Sequence, residues 1–162
     1  MPSSLIGSRV ERKEDKKFLT GKGRYTADIS LANQTYAYFV RSPHARAAIS
    51  KVDTSKAANL PGVVKILTGD DLAKDKIGGL IAGWKIVSQD GTDMKCPPHP
   101  PLANKVVNFV GDHVAVVIAE TLDQAKDAAE KVRVDYKVLK AVVKTGDALN
   151  SKPIHEGIDK NL

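Results

Sequence analysis

The sequence predicts an α+β domain with a mixed sheet and one main amphipathic helix, and three adjacent segments carry that prediction. Val114 to Ala119 is an unbroken apolar run with β-branched residues, the pattern of a strand buried on both faces. Thr121-Leu-Asp-Gln124 is a capping box, in which the threonine and glutamine side chains satisfy free amides of a helix start reciprocally. The helix reaches about Lys131, with Leu122, Ala125, Ala128, Ala129 and Val132 as its apolar stripe. Val132, Val134, Tyr136 and Val138 then alternate with Arg133, Asp135 and Lys137, as in a half-buried strand.

The remaining elements follow in order from the N terminus. Residues 1–35 show no sustained periodicity and are punctuated by Gly21, Gly23, Asn33 and Gln34, which predicts an extended basic arm with turns. Tyr36 to Arg41 is a short strand ended by Ser42-Pro43, because proline has no ladder donor and restricts the residue before it. A second strand spans Ala47 to Val52. Thr54 is placed to cap a short helix running to Leu60, which Pro61-Gly62 stops. Val63 to Thr68 is the next strand; Gly69 breaks it, and Asp70-Asp71-Leu72 begins a helical turn. Residues 73–105 form a long Pro/Gly-rich excursion in which Cys96-Pro-Pro-His-Pro-Pro101 holds four of the eight prolines. Loops of that length are usually functional, partner-covered or disordered, and the lone tryptophan, Trp84, argues against full disorder. Val106 to Val110 is a strand and Gly111-Asp112 a turn. The chain thus divides into the arm (1–35), an α/β core (36–145, excursion 73–105) and a polar linker (146–162).

A chain of 162 residues fits one domain, or one with a long arm, and buries roughly two-thirds of its unfolded surface. No apolar run approaches the ~20 residues of a membrane span, and no secretory h-region follows Met1. Cys96 is the single cysteine and has no internal disulfide partner; both observations fit a reducing cytoplasm. The net charge of +6 concentrates in the arm, where Arg9, Arg12, Lys13, Lys16, Lys17, Lys22 and Arg24 face only Glu11, Glu14 and Asp15. Nucleic-acid binding needs stacking aromatics beside such charge, and Phe18 and Tyr25 sit at no regular spacing, so a solvated or partner-packed arm is the expectation.

No catalytic, cofactor-binding or metal-ligating residue is assigned. Gly21-Lys-Gly-Arg-Tyr-Thr26 begins like a dinucleotide fingerprint, but Thr26 stands at the third glycine position and no buried strand precedes it, which leaves a tight turn. Cys96 and His99 give two potential metal ligands where a zinc site needs three or four, and His44, His113 and His155 come from distant segments. A nucleophilic Cys96 with His99 as base requires a geometry that Pro97, Pro98 and Pro100 oppose. Asp112 lacks a second positioned group and reads as a turn aspartate bonding backbone. Arg41, Ser42, Pro43 and His44 form the sharpest polar cluster, either a contact surface or a turn whose side chains satisfy local backbone.

Gly21-Lys-Gly-Arg-Tyr-Thr-Ala-Asp28, Phe39-Val-Arg-Ser-Pro-His-Ala-Arg46 and Val110-Gly-Asp-His-Val-Ala-Val-Val-Ile-Ala-Glu-Thr121 resemble the N-terminal α/β hammerhead domain of the molybdopterin-binding large subunit in the xanthine oxidase and aerobic carbon monoxide dehydrogenase family. Ile6 to Asp15, Ile154-His-Glu156 and Pro98-His-Pro-Pro-Leu-Ala103 agree with that resemblance, the last with His99 and Pro100 in matching places. The resemblance implies a structural segment of a carbon monoxide or aldehyde dehydrogenase-like oxidoreductase. Catalytic residues and molybdopterin cytosine dinucleotide then lie in later domains, and iron-sulfur and flavin subunits are partners. The chain alone is expected to be inactive. The alternatives are a free-standing module that binds an acidic partner through Lys13, Lys16 and Lys17, and, last, a small enzyme using Cys96 or His99.

Overall fold

The structure is a computed structural model that describes residues 6–7 and 9–161. The first five residues of the expected arm, Ser8, and Leu162 at the end of the expected linker lie outside the described residues.

By contacts the chain forms two units, Met1–Gln34 and Thr35–Leu162. The first is less extended than its sequence suggests. It holds α1 (Asp15–Leu19) and a single 3-10 turn at Thr26–Asp28. The Thr20 hydroxyl closes α1 by donating to the Lys16 carbonyl at 2.7 Å. Gly21 follows at a φ of +68°, a left-handed conformation that suits glycine. The Asp28 carboxylate accepts the Tyr25 amide at 2.8 Å, and Phe18 stacks on Tyr25 at 5.4 Å. An i,i+4 backbone bond from Phe18 to Glu14 and this local ring stack explain the correction: short-range contacts make a turn of helix where no long periodicity exists.

The second unit contains β1 (Tyr36–Arg41), β2 (Ala47–Asp53), α2 (Ser55–Ala58), β3 (Val63–Thr68), α3 (Gly69–Lys74), β4 (Val106–Val107), β5 (His113–Ala119), α4 (Leu122–Ala129), β6 (Arg133–Val138) and α5 (Thr145–Ala148). In place of one mixed sheet there are two three-stranded sheets, ordered β1-β5-β3 and β4-β2-β6, in which every pairing is antiparallel. The reason lies in the crossovers. β5-α4-β6 sends its second strand into the other sheet, so strand–helix–strand order yields no parallel pair.

The capping box at Thr121 forms as expected, with Gln124 N–H donating to Thr121 Oγ1 at 3.2 Å and Thr121 N–H to Gln124 Oε1 at 3.0 Å. Ala125, Ala128 and Ala129 are buried, whereas Leu122 at the head of the stripe stays exposed. Ala128, Ala129, Ala57, Val117 and Val132 make one core cluster, flanked by Val40, Val52, Ile66 and Val134; Ala47, Ala103, Val107 and Val114 make a second. Small alanines let α4 approach the sheet closely.

Three local expectations change. Thr54 stands at the N-cap of α2, but its hydroxyl makes no capping bond; the neighbouring Asp53 takes that part, its Oδ1 accepting from Ser55 N–H at 3.0 Å and Ser55 Oγ–H at 2.6 Å. Those bonds hold the Asp53 carboxyl down at about 2. Gly69 ends β3 as expected, but the helix begins at Gly69 itself, one residue before Asp70, because Thr68 and Asp71 form a second capping box in which Asp71 Oδ2 accepts from Thr68 N–H at 2.9 Å. The β4 strand is two residues long rather than five, since Asn108 turns to bond the Asp112 side chain.

Candidate functional site

The polar cluster at the end of β1 is built into a corner. Ser42 N–H donates to the Asp112 carbonyl at 2.8 Å and Gly111 N–H to the Ser42 carbonyl at 2.8 Å, so the chain turns while the backbone groups stay paired. Ser42 is only 2% exposed. Its hydroxyl accepts from His44 N–H at 3.0 Å and donates to the His44 carbonyl at 3.1 Å. These are the local backbone contacts of the turn reading. Arg41 Nη1 donates to the Gly111 carbonyl at 3.2 Å, and its guanidinium remains at the surface. Of the two readings, Ser42 and His44 follow the turn, and Arg41 alone keeps the character of a contact residue.

Asp112 belongs to the same corner. Its Oδ2 accepts the Asn108 amide at 3.0 Å, which ties β4 to β5. The aspartate therefore serves backbone, as its sequence setting suggests. The His44 ring meets Tyr136 edge-on at 4.9 Å. Burial pushes the Tyr136 phenol up; a hydrogen bond with Ser42 opposes that and the Asp112 charge adds to it. Tyr136 was not marked by the sequence beyond its place in the alternation, because its partners come from two distant turns.

A cleft of about 610 Å³ lies between the excursion, the β4–β5 turn and the C-terminal tail. Cys96, His99, Phe109, Asp112 and His155 line it together with apolar residues. Its walls are held by backbone: Leu80 N–H donates to the His99 carbonyl at 2.7 Å and Ala103 N–H to the His113 carbonyl at 2.7 Å. Farther out, the chain doubles back through the Val87–Asp93 bridge, where the Asp90 carboxylate accepts from Thr92 Oγ1 at 2.6 Å. That bond, with the Thr92 amide, lowers the Asp90 carboxyl.

The reactive groups brought to this cleft do not act on one another. Cys96 is exposed and bonds the Met94 carbonyl at 3.5 Å, while the His99 ring stands edge-on to Phe109 at 6.3 Å. Among the four histidines, His44 meets Tyr136, His99 meets Phe109 and His113 stacks on Phe39 at 4.4 Å. No group of three or more His, Cys, Asp or Glu side chains able to hold a metal occurs among the described residues. No described helix is long and apolar enough to cross a membrane.

The tail after β6 is fastened at two points. Arg46 Nη2 donates to the Ile154 carbonyl at 3.3 Å. Asn161 Nδ2 donates to the carbonyls of Ala148, Ser151 and Lys152, each at 3.1 Å, and Asn161 Oδ1 accepts the Ile154 amide at 3.0 Å. Neither residue carried a local sequence signal, since both act across loops.

Residues 20–140 match the family model described as aldehyde oxidase and xanthine dehydrogenase, a/b hammerhead domain. The nicotine 6-hydroxylase large subunit of Paenarthrobacter nicotinovorans is 36% identical over 154 residues, which is 95% of this chain and 18% of that protein. The carbon monoxide dehydrogenase large chain of Afipia carboxidovorans is 38% identical over 140 residues, 85% of this chain and 16% of that one. Among solved structures, the aldehyde oxidoreductase from Desulfovibrio gigas superposes with a TM-score of 0.72 at 30% identity, covering 94% of this chain and 17% of that one. The chain spans less than a fifth of the length of these relatives.

Proposed function

The chain belongs to the aldehyde oxidase and xanthine dehydrogenase family through its a/b hammerhead domain, and from that premise we propose that it is a structural segment of the large subunit of a molybdenum-dependent hydroxylase or dehydrogenase. Its work is to organise that subunit and to offer contacts to the remaining domains and to iron-sulfur and flavin subunits in the cytoplasm. The observation that carries this reading is the excursion. It is long, apolar and outward-facing, with Ile81 93% and Trp84 83% exposed, which suits a surface made to be covered.

A molybdopterin cytosine dinucleotide does not fit the residues described here. A phosphate-binding glycine turn opens a helix whose first amides face the ligand, whereas the Gly21–Gly23 turn leads only to the 3-10 turn at Thr26–Asp28, where the Asp28 carboxylate already takes the Tyr25 amide. Of the groups lining the cleft, Cys96 bonds the Met94 carbonyl, Asp112 accepts the Asn108 amide and His99 stands edge-on to Phe109, so these three are not paired with one another for proton transfer. The cofactor and the catalytic groups are therefore assigned to other parts of the subunit, and the substrate with them.

Limited trypsin digestion tests the reading, because Lys85 and Lys95 lie in the exposed excursion. Rapid cleavage there in the 162-residue chain and resistance in the intact large subunit is the expected result. Equal cleavage in both, together with salt-sensitive capture of an acidic protein that is lost on neutralising Lys13, Lys16 and Lys17, would favour a free-standing binding module instead.

A further inference from the structure

We infer that the outer face of the β1-β5-β3 sheet is a docking face for an apolar layer with an acidic margin, contributed by the remainder of the large subunit; this rests on the reading just given and names the surface through which it operates. The first observation is a mismatch between sequence and burial in β5. An antiparallel sheet with one wet face alternates apolar and polar residues, yet Val114-Ala-Val-Val-Ile-Ala119 is apolar at every position.

The structure covers only one face of it. Ala115, Val117 and Ala119 are fully buried, and Val40 and Ile66, paired beside them, pack into the core under α4. Val114 is the extra residue of a β-bulge opposite Val40 and Arg41, and it too is buried. Val116 and Ile118 point the other way and are only half-buried. Helix α4 is the helix with substantial packing on β5, and it lies on the core side.

The register assembles the outer face into three rows. Ala37, Ile118 and Lys65 stand side by side, then Phe39, Val116 and Leu67, then Arg41 beside His113. The stack of Phe39 on His113 confirms that these side chains share one face. The centre is apolar and three-stranded, and the two charged residues that the register places within these rows, Arg41 and Lys65, are cationic. An apolar centre left uncovered by any layer of the fold suits a second layer, and the cationic residues beside it suit a partner that brings carboxylates or main-chain carbonyls to its edge. Sheet faces take such a layer at about 10 Å. The relatives are more than five times as long as the segment they share with this chain, so subunits of that kind hold ample further chain to supply such a layer.

Thiol labelling tests this in a Cys96→Ser background. Ala37→Cys and Lys65→Cys report the face, and Ser88→Cys reports the excursion; all three positions are exposed here, Ser88→Cys is nearly isosteric and Ala37→Cys adds only a sulfur atom. Each rate is read with a maleimide in the 162-residue chain and in the intact large subunit. The expected result is labelling of Ala37→Cys and Lys65→Cys about 100-fold slower in the intact subunit, limited by local opening. Unchanged rates at those two sites while Ser88→Cys slows would overturn the docking face and leave the proposed function standing. Unchanged rates at all three would overturn both. Slow labelling of Ala37→Cys in the 162-residue chain that speeds on dilution would mean that a second copy covers the face, and would overturn the assignment to the subunit.

Discussion

β5 with α4 and the excursion from Ile77 to Pro101 are both rich in apolar residues, and they spend them in opposite ways. In the first region Val114, Val117, Ala125 and Ala128 are fully enclosed. In the second, Ile77, Leu80, Ile81, Trp84, Ile86 and Val87 are all more than half exposed. The core region is held by side-chain burial, and the excursion by backbone bonds such as Leu80 to His99 and Met94 to Ile86. Apolar composition alone therefore does not mark a core. A segment whose shape comes from turns and prolines can carry apolar side chains outward, where their stabilisation waits for another surface.

The comparison is broken most sharply at the root of the excursion, where α3 leads into it and the chain returns beside Gly69. A Cβ on Gly69 would run into the Ala103 carbonyl group and lie 2.7 Å from Asn104 Cα, and both are backbone that cannot swing aside. Gly69→Ala is expected to destabilise the chain by about 3 kcal/mol, since overpacking against backbone forces the α3 start and the end of the excursion apart. Urea unfolding of the 162-residue chain measures it; a change near zero would show that this junction is soft.

Next in size is the contrast itself. Val117→Ala removes buried methyl groups and leaves a cavity, for an expected loss of about 2 kcal/mol. Ile81→Ala, in the excursion, is expected to stay within about 0.5 kcal/mol of the parent in the same unfolding experiment. Equal losses at the two positions would erase the distinction between the regions. A smaller effect, about 1 kcal/mol, is expected for Thr121→Ala, which strips the cap from α4.

The smallest effect is on pH dependence. Asp53 is ionised more readily when folded, its carboxyl held at about 2 against an ordinary 3.8 by Ser55 and then Lys51. Folding therefore gains from this group above pH 3.8, and the gain is lost as the pH falls through 2. Asp53→Asn should flatten the acid side of the thermal-stability profile in that window and leave the neutral side unchanged in slope. Tyr136 works at the other end. Its raised phenol contributes stability that is present below pH 10 and lost as the pH rises through its folded value, so Tyr136→Phe should flatten the alkaline side.

The elements most legible in the sequence were those set by neighbours along the chain. β1 and β3 have the bounds that their flanking Pro43 and Gly62 imply, and the box at Thr121 opens α4 as written. The box at Thr68 was equally local and was masked by Gly69, which reads as a breaker. The corner was half legible: Ser42 and Asp112 stood out as turn residues, but the bond from Ser42 N–H to the Asp112 carbonyl and that from Gly111 N–H to the Ser42 carbonyl join distant parts of the chain. Arg46, Tyr136 and Asn161 gave no sign of their roles, because each acts on a carbonyl or ring delivered by a remote loop.

Sequence by itself determined the α+β class, the family resemblance and the strand and helix cores, since periodicity, caps and breakers act within a few residues. Tertiary structure decided that the strands form two antiparallel sheets rather than one mixed sheet, and that Val116 and Ile118 are left on an open face. Those outcomes depend on which strand a crossover joins and what lies above a sheet, and neither is a property of any short stretch of chain.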